Sequence, residues 1–126
     1  ANSTGAPAEL IAVGSAAASA GLLELRASGL PSSAVALPIV SRGTALVPMV
    51  GGSAGTLCLG GAIGRFDLVQ AGLGGALSLP VDLGALPRPN GTAPALAGET
   101  WVLQLWYRDA AANTSNLTNA SSVAFR

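Results

Sequence analysis

The sequence predicts an all-β fold: a single antiparallel β-sandwich, jelly-roll or immunoglobulin-like, with about seven to nine strands. Two observations lead to this fold class. Short apolar or alternating runs recur about every 8 to 15 residues, separated by clusters of Gly, Pro, Asn and Ser. In addition, no stretch of helical length carries an apolar stripe with the spacing of an amphipathic helix.

These runs place eight candidate strands at residues 8–15, 22–28, 34–41, 45–50, 56–59, 76–82, 100–108 and 121–126. The segments between them, among them SGLPSS, GGSAGT, LPRPNGTAP and AAANTSNLTNA, favour turns. Glycine and serines weaken a helix in SAAASAG at 15–21, so we expect a loop there. Pro38, Pro48 and Pro80 lie inside apolar runs and predict edge strands or bulges, because proline cannot donate to a sheet ladder.

Two segments show the two-residue period of a strand. In LLELRAS at 22–28, polar Glu24 and Arg26 alternate with apolar neighbours, which is typical of an antiparallel strand with one solvated face. In TWVLQLWYR at 100–108, one face is expected to enter the core and the other to be half exposed. The core face holds Trp101, Leu103, Leu105 and Tyr107, and the other holds Val102, Gln104, Trp106 and Arg108. Trp101 is the expected core anchor, whereas Trp106 either packs across strands or binds a sugar or partner.

The composition predicts one domain spanning 1–126 with few charges. Charged residues make up 10% of the sequence, against about 25% in an ordinary soluble domain. Six arginines balance six Asp and Glu, and Lys and His are absent, so we expect no nucleic-acid partner. A neutral surface with few charges either favours association with other copies or is simply rich in small residues.

A membrane span is not predicted. The longest apolar stretch, LIAVGSAAASAGLL at 10–23, has about 14 residues before Glu24, whereas a helix that crosses a bilayer needs about 20. No signal-peptide pattern is visible, so we expect an exported form to have lost it already.

Recognisable reaction chemistry is missing from the sequence. The serines have no His or Lys as a base, and no spacing pairs the carboxylates of Glu9, Glu24, Asp67, Asp82, Glu99 and Asp109. Asp109, Asn113 and Asn116 have too little charge density for a calcium loop, and the runs GGAIG and GLGG are expected to be turns and close backbone approaches. Cys58 is either a buried apolar side chain or a thiol that pairs with another chain. We therefore expect no enzyme, cofactor or metal.

All five asparagines lie two residues before a Ser or Thr, the spacing of an N-glycosylation acceptor. They are Asn2, Asn90, Asn113, Asn116 and Asn119. With 19 Ser and Thr in the chain, five matches by chance have a probability of about one in ten thousand. The alternative is that these side chains form turns through local hydrogen bonds.

Four segments resemble an uncharacterised β-sandwich module that ends many large exported proteins of planctomycetes and related bacteria. They are NSTG at 2–5, GGSAGTLCLGGAIGRF at 51–66, GETWVLQLWYRD at 98–109 and TSNLTNASSVAF at 114–125. Members read N-S-T-G, G-G-S-x-G-x-L-C-L-G-G-x-I-G-R-[FY], G-E-T-W-x-x-Q-x-W-[YH]-R-D and T-S-N-F-T. The resemblance covers almost the whole chain and implies an extracellular setting, with no known activity and no catalytic residues.

This sequence differs from the module in two respects. Members often carry a Cys before N-S-T-G, which would be a partner for the one in L-C-L-G-G, and this sequence begins at Ala1 without it. The module is usually a C-terminal appendage, so a free-standing copy suggests a subunit.

Together these features predict a non-enzymatic, extracellular or cell-surface structural protein. Its copies are expected to assemble into a filament, a pilus-like fibre or a surface layer, and PAELIAV at 7–13 is the expected donor if a strand is donated to a neighbouring subunit. The alternative is a carbohydrate- or cell-surface-binding adhesion module that uses Trp106 and Tyr107 to contact glycans.

Overall fold

The computed structural model describes residues 2–14, 17 and 22–126. These residues form thirteen strands and two single-turn 3-10 helices at Val50–Gly52 and Ala110–Ala112. The strands are β1 (Glu9–Gly14), β2 (Leu22–Ser28), β3 (Val35–Ser41), β4 (Gly43–Pro48), β5 (Thr56–Gly60), β6 (Gly64–Arg65), β7 (Val69–Gln70), β8 (Leu77–Asp82), β9 (Leu86–Arg88), β10 (Gly91–Ala93), β11 (Thr100–Asp109), β12 (Thr114–Leu117) and β13 (Ser121–Ala124). Every pairing between them is antiparallel, which confirms the predicted all-β fold class, but the expected number of seven to nine strands is too low.

All eight predicted strands are present, with ends that differ by at most two residues. The other five, β6, β7, β9, β10 and β12, were not predicted. The interpretation of LPRPNGTAP and AAANTSNLTNA as connections only is wrong, because the first contains the β9–β10 hairpin and the second contains β12. Most of the loop expected at 15–21 lies outside the described residues.

Two sheets face each other across the main core. One contains β1, β2 and β8 in that order, and the other contains β11 and β3 at its centre, with β12 and β13 beside β11 and with β6 and β7 beside β3. The predicted inner face of β2 is confirmed, since Leu23, Leu25 and Ala27 are buried between the sheets. The core face of β11 is also confirmed, and Trp101 is 1% exposed there.

A hairpin of β4 and β5 lies on the outer face of the six-stranded sheet. Leu59 of β5 packs there against Ile39 and Val102 in a second, smaller core. The prediction of a half-exposed outer face on β11 is therefore only partly right: Val102 and Gln104 are buried, Trp106 is half buried and Arg108 is exposed. The period of two defined the faces, but it could not indicate that the hairpin covers one of them.

Two side-chain amides hydrogen bond to strands as a neighbouring peptide group would. Asn119 accepts from the N–H of Leu10 at 2.8 Å and donates to the carbonyl of Leu10 at 3.0 Å, at the free edge of β1. Gln104 accepts from the N–H of Cys58 at 2.9 Å and donates to the carbonyl of Thr56 at 2.9 Å, at the edge of β5. One N–H and one carbonyl at each of these two edges are thus already satisfied within the chain.

The prolines fit the sheet in different ways. Pro80 lies in β8, an edge strand, and Pro48 ends β4, whose pairing with β5 shifts register between Thr44 and Val47. At Pro38 the expectation of an edge strand is wrong, because β3 is a central strand, but the alternative of a bulge fits. Three residues between β6 and β7 lie opposite only two of β3, Leu37 and Pro38. The missing N–H of Pro38 is tolerated since β3 pairs with β6 at residues 39 and 40 and with β7 at residues 35 and 36, which leaves Pro38 outside both ladders.

Candidate association surface

The β4–β5 hairpin covers only part of the outer face of β3 and β11. The rest forms the floor of a groove of about 560 Å³, which we call the Trp106 groove. It is lined by Val35, Ala36, Leu37, Ile39, Leu57, Ile63, Arg65, Leu68, Trp106, Tyr107, Arg108 and Ser115. The hairpin contributes one wall through Leu57, and the segment from β6 to β7 contributes the other.

Large apolar side chains of the groove are open to solvent. Val35 is 46% exposed and Leu68 is 68% exposed. Trp106 is half buried, and its indole lies against the loop after β4, where a Cβ on Gly51 would be 3.4 Å from the ring. The indole is thus held in place on one side and exposed to the groove on the other.

Positive charge accompanies this apolar surface. The exposed side chains of Arg65 and Arg108 line the groove, and none of the described residues that line it is Asp or Glu. Arg108 donates to the side-chain oxygen of Asn113 at 3.2 Å, and neither arginine has an ion-pair partner among the described residues. An acidic group on a binding partner would therefore find two arginines that are available for an ion pair.

Tyr107, predicted to join Trp106 on a binding surface, is 1% exposed and lies in the main core. Its hydroxyl accepts from the side-chain amide of Asn2 at 3.1 Å. The prediction for Tyr107 is therefore wrong, because neighbouring residues of a strand point to opposite faces and Trp106 takes the outer one. The N-terminal segment is fixed beside it, since Ser3 donates both its N–H and its hydroxyl to the buried carboxylate of Asp109.

Ionisation of the buried Tyr107 side chain lowers the stability of the fold at alkaline pH. Burial raises its pKa above the ordinary value of 10.0, the hydrogen bond from Asn2 opposes this, and the Asp109 carboxylate adds to it. Since the folded pKa lies above the unfolded one, this contribution to stability is complete below pH 10 and is lost as pH rises through the folded pKa.

We expect the wild-type protein to become easier to denature with urea above about pH 10, and the Tyr107→Phe variant to lack this additional loss. The chain has a single Tyr, so the ultraviolet band of tyrosinate follows this group alone. It has no Lys, so no lysine titrates in the same pH range. An equal alkaline loss of stability in both proteins would contradict the assignment.

The five candidate glycosylation sites differ in whether the asparagine side chain is accessible. The amide nitrogens of Asn2 and Asn119 donate to the backbone carbonyls of Gly29 and Leu10, at 2.8 and 3.0 Å, and Asn116 is buried on β12. Asn90 lies in the exposed turn of the β9–β10 hairpin, and Asn113 is exposed with a left-handed φ of 52°. The acceptor hypothesis therefore rests on Asn90 and Asn113, since Asn2 and Asn119 bond to distant backbone groups and Asn116 is buried.

Cys58 lies on β5 with a half-buried, free thiol. Its sulfur is 3.7 Å from the carbonyl of Thr56. It lines a shallow depression together with Leu10 and Thr118. An intermolecular disulfide at this position stays a prediction.

The acidic residues are dispersed among separate partners. Glu24 pairs with Arg26 at 3.1 Å, and Glu99 pairs with Arg42 at 2.9 Å. Asp109 is buried and bonded to Ser3, so it does not join Asn113 and Asn116 in a calcium loop. Within 2–14, 17 and 22–126, no three His, Cys, Asp or Glu side chains form a cluster that could hold a metal ion.

Trp101 links the core to the charged end of β11. Its ring lies 5.9 Å from the guanidinium of Arg42 and 5.2 Å from that of Arg88, and its N–H donates to Glu99 at 3.3 Å. The pKa of Glu99 is lowered, first by the hydrogen bond from the N–H of Leu96 and then by Trp101 and the two arginines. Aromatic, cationic and anionic groups thus stabilise one another at this corner.

No family model matches the sequence, and no curated protein matches it significantly. None of the described residues belongs to a helix that is long and apolar enough to cross a membrane. The fold and the surface therefore define the class: an all-β protein with antiparallel sheets and an apolar groove on one outer face.

Proposed function

We propose that this protein is a non-enzymatic, extracellular structural subunit that associates with its own copies into a fibre or surface layer. The observation that carries the proposal is the Trp106 groove, where part of an apolar sheet face has no cover within the described chain. The extracellular setting is supported by the sequence resemblance to modules of exported proteins.

An uncovered apolar face of this kind favours association. Contiguous apolar surface on a soluble protein commonly marks an interaction site. The β4–β5 hairpin beside the groove adds Leu46, which is 80% exposed, and Met49, which is 71% exposed. The net charge of zero provides little repulsion between copies.

The mode of association that best fits the chain is contact between side-chain faces. β1, the expected donor strand, pairs along its whole length with β2 of the same chain. Its outer edge is bonded to Asn119 at Leu10. Donating β1 to a neighbour would break these pairs, whereas burying the Trp106 groove would cost none of them.

The test replaces one exposed leucine inside the groove and one outside it. We expect wild-type protein to form a high-mass species whose fraction rises with concentration in sedimentation velocity, and regular assemblies in negative-stain electron microscopy. Leu68→Ser should reduce assembly, because Leu68 lines the groove and is 68% exposed. Leu96→Ser, at a 56% exposed position outside the groove, should not. A wild-type chain that stays at 12.2 kDa at all concentrations would refute the proposal.

A second function, carbohydrate or cell-surface binding, is favoured by one observation. The half-buried indole of Trp106 faces an open groove, as ring-stacking tryptophans do in sugar sites. Apart from its arginines and two aromatic residues, however, Ser115 is the one polar residue among the described residues that line the groove. A monomer that a glycan array retains, with retention lost in Trp106→Ala, would favour this function over assembly.

A further inference from the structure

The side of the molecule opposite the Trp106 groove is the outer face of the three-stranded sheet. Residues that alternate with the buried ones form this face: Glu9, Ile11, Val13, Glu24, Arg26, Ser78, Pro80 and Asp82. They lie side by side across the strands, with Ile11 opposite Arg26 and Val13 opposite Glu24. Because the main core lies between the sheets, this face and the groove point in opposite directions.

The charge of this outer face is opposite to that of the Trp106 groove. Glu24 is neutralised by Arg26 at 3.1 Å, which leaves the exposed carboxylates of Glu9 and Asp82. The face is therefore acidic by two charges, and the Trp106 groove carries two arginines without an ion-pair partner in the described chain.

The outer face of the three-stranded sheet also carries exposed apolar side chains that can pack against the Trp106 groove. Ile11 is 55% exposed at the free edge of the sheet, with Val13 two residues further along the same strand. A depression of about 560 Å³ beside Ile11, lined by Ala27 and Leu77 among others, can receive a side chain such as the exposed Leu68 on the groove wall.

We propose that the outer face of the three-stranded sheet of one copy docks on the Trp106 groove of the next, with Glu9 and Asp82 facing Arg65 and Arg108. This inference rests on the proposed self-assembly and names its interface. Since the two surfaces differ and lie on opposite sides of one molecule, the contact is heterologous and repeats without closing unless a rotation forms a ring. The repeat direction then runs across the two sheets, from one outer face to the other.

The experiment uses two double charge reversals in the 126-residue chain, Arg65→Glu with Arg108→Glu and Glu9→Arg with Asp82→Arg. All four side chains are exposed, so circular dichroism should report an unchanged fold. Each double variant alone should need at least about tenfold higher concentration to assemble, because like charges meet at the contact. An equimolar mixture should assemble as the wild type does, since both contacts of the alternating chain then join opposite charges.

The outcomes separate the interface from the function. Recovery in the mixture, with Arg126→Glu alone having no effect, would support the docking of these two faces. Wild-type assembly that neither double variant changes would overturn the interface and leave self-assembly standing. Loss of assembly in both variants without recovery in the mixture would also overturn this pairing, and a wild-type chain that never assembles would refute both proposals.

Discussion

Replacing Gly64 by alanine is expected to destabilise the protein by about 3 kcal/mol, the upper part of the range for overpacking a well-packed interior. A Cβ on Gly64 would lie 2.8 Å from the backbone nitrogen of Arg88 and closer still to the carbonyl of Pro87. These are backbone atoms of β9, so they cannot rotate away. Relief requires β9 to move, and with it Leu86, which is 2% exposed in the main core.

The matched control is Gly74→Ala, because a Cβ at Gly74 meets nothing within 4 Å and its φ is not positive. Urea denaturation of both variants gives the two changes in the free energy of unfolding. Gly74→Ala should be within about 0.5 kcal/mol of the wild type or slightly more stable. Equal effects of the two substitutions would mean that β6 and β9 do not approach as closely as described.

The Gln104→Leu substitution is expected to lower the free energy of unfolding by about 3 kcal/mol. Leucine fills a similar volume, but it leaves three main-chain groups without a hydrogen-bond partner. The amide of Gln104 is fully buried and bonds the N–H of Cys58 and the carbonyls of Thr56 and Thr118, at 2.9, 2.9 and 2.7 Å. The amide thereby attaches the β4–β5 hairpin to the six-stranded sheet. Loss of the amide should also speed hydrogen exchange at Cys58 before the rest of the hairpin.

The other glutamine of the chain provides the control. Gln70 is exposed, and its side chain donates to the carbonyl of Ser33 at 3.1 Å. Gln70→Leu should therefore lower the free energy of unfolding by less than about 1 kcal/mol. A Gln104→Leu protein as stable as Gln70→Leu would show that water replaces the buried amide at no cost.

The longer strands could be predicted because their sequences carry the period. LLELRAS and TWVLQLWYR each assign alternate residues to the core, and the structure places them there. Strands of two or three residues are too short to express a period, and in LPRPNGTAP the turn-forming residues outweigh every strand signal. The role of Pro38 depends on where β6 ends and β7 begins, which local sequence does not specify.

The candidate surface was only partly predictable. The two-residue period places Trp106 on the outer face of β11, but its groove also needs the β4–β5 hairpin and the distant Arg65 and Leu68. Val35 and Leu37 alternate in VALPIV, so their shared face could have been inferred from the sequence. The buried roles of Asn2 and Gln104 could not, because a polar side chain in the sequence does not reveal the backbone groups that long-range folding brings to it.

The small number of ion pairs has a consequence for how the protein responds to its medium. The described residues form only two, Arg26 with Glu24 and Arg42 with Glu99, and both arginine side chains are at least half exposed. Salt screens exposed charges over about 10 Å at 0.1 M, so ionic strength should change the unfolding equilibrium little. Contact between an acidic face and a basic groove would, by contrast, weaken as salt rises. A rise in salt would then shorten an assembly of such subunits while the stability of each subunit stays nearly constant.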